Sequence, residues 1–247
     1  MTLSAWGLAT IIGLSLGLLG GGGSILTVPV FTYVLGYPAK QAIAMSLPVV
    51  GLAAATGAVA ARRRGTLALG PALAMAPATM AGSYAGARAA AYLDGSTQLT
   101  LLAVAMLSAA AAMWQRSRAS EEWHATDRAH PLVVAGIGIG VGLLTGLVGI
   151  GGGFMIVPAL VVVGGIPMRE ATSTALLVIA LSTLSGLAGY RQQVSLDWAT
   201  VAIFAGIASL GVLAGGQLAG HIPARRLQQA FAGLLLALAA YMLLRPA

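Results

Sequence analysis

The sequence predicts an all-α polytopic membrane protein made of two homologous repeats, and three observations carry that prediction. Of 247 residues, 58% are hydrophobic and only 8% charged, where a soluble domain carries about 25% charged residues. The charges punctuate long uncharged runs, and the second half of the chain repeats the pattern of the first. With a mean hydropathy of +0.91, this much apolar surface cannot be buried inside a soluble domain, which excludes an ordinary soluble enzyme. The absence of Cys excludes disulfides, thiolate metal sites and Cys nucleophiles, and three His leave little for a metal centre. No cofactor is therefore expected. The net charge of +7 comes from 12 Arg and Lys40 against six acids. In a membrane protein that excess is first a topology signal. No basic cluster is interleaved with aromatics, so nucleic acid is not an expected partner.

Residues 1–39 are uncharged. Their thirty-odd positions would make roughly 50 Å of straight helix, against a hydrocarbon core of about 30 Å. The interruption is Gly20-Gly21-Gly22-Gly23-Ser24, so two helical pieces are predicted, 3–19 and 24–35. Uncharged runs 41–61, 65–87 and 95–115 follow, each at or just above the length that a helix needs to cross hydrocarbon. The stretch from Arg116 to His130 holds six charges, two His and Trp123, and reads as an aqueous linker. The pattern then restarts, with pieces 132–148 and 154–163 on either side of Gly149-Ile150-Gly151-Gly152-Gly153, then runs 171–190, 198–220 and 227–244.

Residues 1–116 lie on 130–245 without a gap, and about 30 pairs are identical, roughly double the chance level for this composition. Val28-Pro29 meets Val157-Pro158, Gly36 meets Gly165, Pro38 meets Pro167 and Arg62 meets Arg191. The expected organisation is a first repeat at 1–116, a polar linker at 117–129 and a second repeat at 130–247, each repeat with about four helical segments. Residues 2–19 lack the basic n-region of a signal peptide and match 131–148, so they are read as retained structure.

Two topologies fit. If each first segment crosses fully, the repeats are parallel and one face holds eight Lys/Arg against five. If each is a re-entrant hairpin, the repeats are inverted and the linker face holds nine against four. The positive-inside rule prefers the second, with the linker cytoplasmic and both termini outside.

A Gly-rich turn feeding a helix exposes unpaired N–H groups at the positive end of the helix dipole, which makes an anion site out of backbone. Gly-interrupted segments at matching positions of two repeats point to a binding site near the midplane. The candidate site residues are therefore Gly20, Gly21, Gly22, Gly23 and Ser24 with Gly149, Gly151, Gly152 and Gly153. Ser46 and Thr174, early in the next span, offer hydroxyls without the cost of a buried charge. Thr172 and Ser173 nearby read better as back-bonding or packing groups. Arg62 and Arg191 match in identity inside the repeats and suit an oxyanion. Their position at span ends also fits plain snorkelling. The G-x-x-x-G pairs Gly13/Gly17, Gly142/Gly146, Gly82/Gly86 and Gly211/Gly215 read as packing faces. No Asp, Glu or His lies inside a span; Asp94, Glu170, Asp197 and His221 stand at borders. Coupling to protons, a candidate co-ion, would use a border acid or ride on the substrate, or is absent.

The segments Gly17-Leu18-Leu19-Gly20-Gly21-Gly22-Gly23-Ser24 to Pro29 and Gly146-Leu147-Val148-Gly149-Ile150-Gly151-Gly152-Gly153 to Pro158, with Gly36 to Ala42 and Gly165 to Ala171, resemble the TauE/SafE sulfite exporter family. The resemblance covers essentially the whole chain. It implies a two-repeat transporter of the bacterial inner membrane, not an enzyme, that exports small anions such as sulfite, sulfoacetate and other organosulfonates. The family's Gly-Thr-Ser-Leu stands here as Ala44-Met45-Ser46-Leu47 and Ser173-Thr174-Ala175-Leu176, each keeping a different hydroxyl. Alternatives to a carrier are a passive anion channel or uniporter, and a non-transporting membrane subunit that packs through its glycine faces. The lipid bilayer and a second copy of the chain are the other partners expected.

Overall fold

The computed structural model describes residues 3–118, 131–149, 153–162, 164–190 and 193–244. Most of the predicted linker thus lies outside the described residues, as do Gly151, Gly152 and Arg191. Among the described residues every regular element is helical. In chain order they are α1 (Leu3–Leu19), α2 (Gly22–Pro29) continued by a π-helical turn (Val30–Val34), α3 (Ala39–Arg63), α4 (Leu69–Ala89) and α5 (Gly95–Arg118). The second half supplies α6 (Pro131–Val148), α7 (Gly153–Val162), α8 (Met168–Tyr190), α9 (Trp198–Leu218) and α10 (Ala224–Leu244). When 1–116 is laid on 130–245, both ends of α4 fall on those of α9, and the short 3-10 turn Ala90–Tyr92 falls on Ala219–His221. Among the described residues, three helices are long and apolar enough to cross a membrane by length and composition: Ala39–Arg63, Met168–Tyr190 and Trp198–His221. Leu52, Leu73, Leu184 and Leu210 stand more than half exposed, an outer surface that suits lipid rather than water.

The break predicted in the first segment is present. Gly20 adopts φ +69° and Gly149 φ +72°, the left-handed region where a Cβ is disfavoured. After Gly20 the chain doubles back, so that Gly23 packs on the backbone of Ile12 and Leu16. Thus α1 and α2 form a hairpin. Phe31, just beyond α2, stacks on Phe204 near the start of α9.

Contacts along the helices fix their directions. Gly51 of α3 faces Thr183 of α8 and Gly57 faces Leu176, so α3 and α8 run antiparallel through the centre. Tyr37, just before α3, bonds Asp197 at the start of α9, and Arg64 at the other end bonds Gly216, so α3 and α9 run parallel. Gly95 at the start of α5 meets Ala39, and Tyr241 of α10 stacks edge-on against Tyr33. One end of the bundle therefore carries Arg64, Leu69, Arg118 and Pro131, and is called the linker end below. The opposite end carries the starts of α1, α3, α5 and α9 and the finish of α10.

The first helix of each half packs on the fourth helix of the other. Gly13 and Gly17 of α1 press on the backbone of Ala208 and Val212 in α9, where Gly211 and Gly215 meet Gly13 and Leu14 in return. In the same way Gly82 and Gly86 of α4 press on Ile139 and Leu143 of α6, and Gly142 and Gly146 press on Thr79 and Ser83. All four G-x-x-x-G pairs are packing faces, as the spacing predicts. Lipid tails are as apolar as Leu, so helices here associate through close backbone contact rather than through escape from water. A Cβ on Gly82 would stand 2.8 Å from the Leu143 nitrogen. Gly82→Ala is therefore expected to cost about 1–3 kcal/mol by overpacking and to lower the thermal midpoint in detergent. Gly140, on the same helix as Gly142 but with nothing within 4 Å of its Cβ position, is the control, and Gly140→Ala should leave the midpoint unchanged or slightly raised.

Candidate functional site

The two glycine turns meet. Gly21 lies against the backbone of Gly153, and Gly153 in turn against Ile179, which is the middle residue of α8. Each turn also rests on a long helix of the other half: Gly20 on Thr172 of α8, Gly149 on Ile43 of α3. Helices α2 and α7 start from these turns, and the first N–H groups of a helix have no partner within it. Ser24 is fully buried, and its hydroxyl donates to the Gly21 carbonyl at 2.6 Å. Ser46, also fully buried, is directed at the carbonyls of Ile43 at 2.7 Å and of Gly149, so it ties α3 to the second turn.

The structure thus brings together Gly20, Gly21, Gly149, Gly153, Ser24 and Ser46, with Gly22 and Gly23 in the first turn of α2. Two candidates are placed elsewhere. Thr174 is buried, but its Oγ1 accepts from the Ala68 N–H at 3.1 Å, ahead of α4. Arg62 is exposed and borders a largely apolar groove of about 590 Å³ that runs between α3 and α8 past Leu52, Leu181 and Leu184.

A second cavity of about 500 Å³ opens at the linker end. Its rim carries Arg64, Arg169 and His221, and its wall carries Thr66, Thr172 and Ser173. Arg64 donates from Nη1 to the Gly216 carbonyl at 2.6 Å and from Nε to Ala60 at 3.2 Å. Arg169 donates from Nη2 to the carbonyls of Gly220 at 2.9 Å and Ile222 at 3.4 Å. Both guanidiniums therefore sit on the negative end of α9, where a cation is favoured. Thr66 and Ser173 hydroxyls lie 3.1 Å apart. Gly17 and Thr172 form part of the lining, and Thr172 is also the residue on which Gly20 rests, so Thr172 stands between the cavity and the first glycine turn. Sequence reasoning passed over Arg64 and Arg169 because neither is matched by a second Arg in the other repeat.

Apolar helices of membrane-spanning length surround two glycine turns that meet, an arrangement that fits a membrane transport protein. The chain belongs to the TauE/SafE family: the profile described as sulfite exporter TauE/SafE matches residues 5–242. It is 32% identical over 244 residues to a probable membrane transporter protein of Xylella fastidiosa strain 9a5c, covering 95% of this chain and 92% of that one. A probable membrane transporter protein of strain Temecula1 is 31% identical over the same share of each chain. One from Bacillus subtilis is 30% identical over 105 residues, 42% of this chain and 43% of its own. No solved structure matches the chain. The family consists of membrane transporters, not enzymes.

For a transporter the border acids bear on coupling. Asp197 precedes α9, where its Oδ1 accepts from the N–H groups of Ala199 at 3.1 Å and Thr200 at 3.2 Å. Its Oδ2 accepts from the Tyr37 hydroxyl and the Thr200 hydroxyl, each at 2.7 Å. Led by the Tyr37 bond, these donors hold the carboxyl down at about 2. Asp197 is thus held in its ionised form by the donors that cap α9. A depressed folded value means that the capping contribution is fully present above the ordinary value of 3.8 and is lost as pH falls through about 2. Asp197→Asn should flatten the acid limb of the thermal midpoint between those two values and leave the pH profile of transport unmoved. A displaced transport profile would instead make Asp197 a proton relay.

Proposed function

We propose that the protein is a multi-pass transporter of the inner membrane that exports a small oxyanion, sulfite or an organosulfonate such as sulfoacetate. The anion is held between the turns at Gly20–Ser24 and Gly149–Gly153 with help from Ser46, and is passed across by alternating access. The observation that carries this reading is the meeting of Gly21 and Gly153 at the middle of α8. There, two helix N-termini, one from each half, offer backbone donors to one negative charge. In the conformation described the turns touch, so an anion enters only when they part. One repeat moving against the other supplies that motion.

We further infer that the halves arose by duplication and are inverted. The coincidence of α4 with α9 when the halves are overlaid and the antiparallel run of their preceding helices α3 and α8 support this. The nine Lys/Arg of the linker face then put the linker in the cytoplasm. A reporter fused to the C-terminus is expected to read as outside; a cytoplasmic signal would overturn the orientation.

A second reading, a passive uniporter, is favoured by one observation: no Asp, Glu or His lies inside a predicted span, where proton-coupled carriers keep such a group. Radiolabelled sulfite flux into proteoliposomes, with and without an imposed pH gradient, separates the two. Acceleration by the gradient supports a coupled carrier, whereas an equal rate supports the uniporter. No flux of sulfite or sulfoacetate above empty liposomes would reject both. Gly22→Val and Gly151→Val are each expected to abolish flux while the protein still elutes as a single species.

A further inference from the structure

The bundle contains its own comparison, because overlaying 1–116 on 130–245 gives each position at the linker end a counterpart at the opposite end. Arg64, which caps the Gly216 carbonyl, corresponds to Gln193, which caps the Ala87 carbonyl at 2.8 Å. Arg169, bonded to the Gly220 carbonyl, corresponds to Lys40, bonded to the Ala91 carbonyl at 3.4 Å. The scaffold is thus preserved at both ends, but the space it encloses is not. Ala61 and Leu227 on the linker-end cavity correspond to Tyr190 and Gln98. Tyr190 is among the largest fully buried side chains and Gln98 is wholly buried. The Gln98 Nε2 donates to the Leu147 carbonyl at 2.9 Å and to the Tyr190 hydroxyl at 3.2 Å, while that hydroxyl donates to Leu147 at 3.2 Å. The hydroxyl-bearing Thr172 and Ser173 correspond to Ile43 and Ala44, both fully buried. Among the described residues, one end is plugged by Tyr190 and Gln98; the other is open, cationic and rich in hydroxyls.

Resting on the transport reading above, we propose that the linker-end cavity is a binding vestibule for an organic oxyanion. Arg64 and Arg169 take its sulfonate or carboxylate groups, Thr66 and Ser173 supply hydroxyl contacts, and Leu176 and Leu227 receive its carbon chain. A guanidinium has five N–H donors, and the backbone bonds of Arg64 and Arg169 leave several of them for a ligand. The carbonyls they cap also hold each fork in place, so little side-chain freedom is lost on binding. Size sets the ligand class. A cavity of about 500 Å³ is far larger than a bare inorganic anion needs, where one water takes roughly 30 Å³. The apolar wall of Leu176, Val212 and Leu227 gives a carbon chain somewhere to lie. An organosulfonate therefore suits the vestibule better than sulfite. Only Thr172 separates the vestibule from Gly20, so the vestibule serves as a loading position ahead of the turns.

The test is calorimetric titration of the purified full-length protein with sulfoacetate, with sulfite, and with short-chain phosphatidylglycerol, since a lipid headgroup carries similar oxyanion chemistry. Sulfoacetate is expected to bind more tightly than sulfite. Arg64→Gln and Arg169→Gln should each weaken sulfoacetate by about tenfold or more, the usual scale of a hydrogen bond to a charged group. Lys40→Gln, the counterpart at the plugged end, should change it less than about twofold. Because Arg64 also caps α9, Ser173→Val provides a variant without that role, and it should weaken binding with an unchanged thermal midpoint. Unchanged affinity in both Arg variants overturns the vestibule, as does a response to phosphatidylglycerol alone. If the wild-type protein still moves sulfite or sulfoacetate into proteoliposomes in that case, the transport reading survives and only the vestibule fails. Absence of flux from the wild type rejects the transport reading itself.

Discussion

Close backbone approach between glycine-bearing helix faces holds this bundle together and positions everything at its centre. Inside a bilayer no water is expelled when two apolar helices meet, so packing and polar contact decide association. The pairs Gly13/Gly17 and Gly211/Gly215 bring α1 onto α9, and Gly82/Gly86 with Gly142/Gly146 bring α4 onto α6. The turn at Gly20 follows closely on Gly17, and the turn at Gly149 follows as closely on Gly146. Where α1 and α6 are fixed, the turns are fixed too. The meeting of Gly21 with Gly153 is a downstream consequence of contacts made one or two helical turns earlier.

Most polar groups at depth follow a single rule: they bond to backbone. Thr79, Thr145, Ser182 and Thr183 each donate to a carbonyl three or four residues back in their own helix, and Ser46 extends the same habit to the neighbouring turn. Such bonds satisfy the hydroxyl at small cost in helix geometry. Several exceptions gather at the plugged end, where Ser83 Oγ, Gln98 Oε1 and Gln193 Oε1 are buried without a partner.

Much of this was legible in the sequence. Charges marked the ends of the long helices, and the glycine clusters marked the breaks closely: α2 starts at Gly22 where 24 is the expected first position, and α7 starts at Gly153 where 154 is expected. The four glycine pairs announced packing faces. Which helix each face would meet was not legible, because partner choice depends on shape complementarity that periodicity does not encode. The site was legible in part. The turns follow from a repeated pattern and Ser46 from a hydroxyl early in the next span, whereas Thr174, read the same way, is bonded to Ala68. The linker-end cavity was missed for a physical reason. Matching the repeats selects what is alike, and the cavity exists because Ala61, Thr172 and Ser173 differ from Tyr190, Ile43 and Ala44.

The exchange of first helices between the halves also bears on how the chain is made. When the ribosome has delivered residues 1–118, α1 has not yet met α9 and α4 has not yet met α6. The glycine faces of both helices then look onto lipid, with their intended partners still unsynthesised. The first half must wait in the bilayer as loosely associated helices until α6 and then α9 arrive, and only then do the two turns find each other. The contacts that fix both turns are therefore available only once the second half has been made.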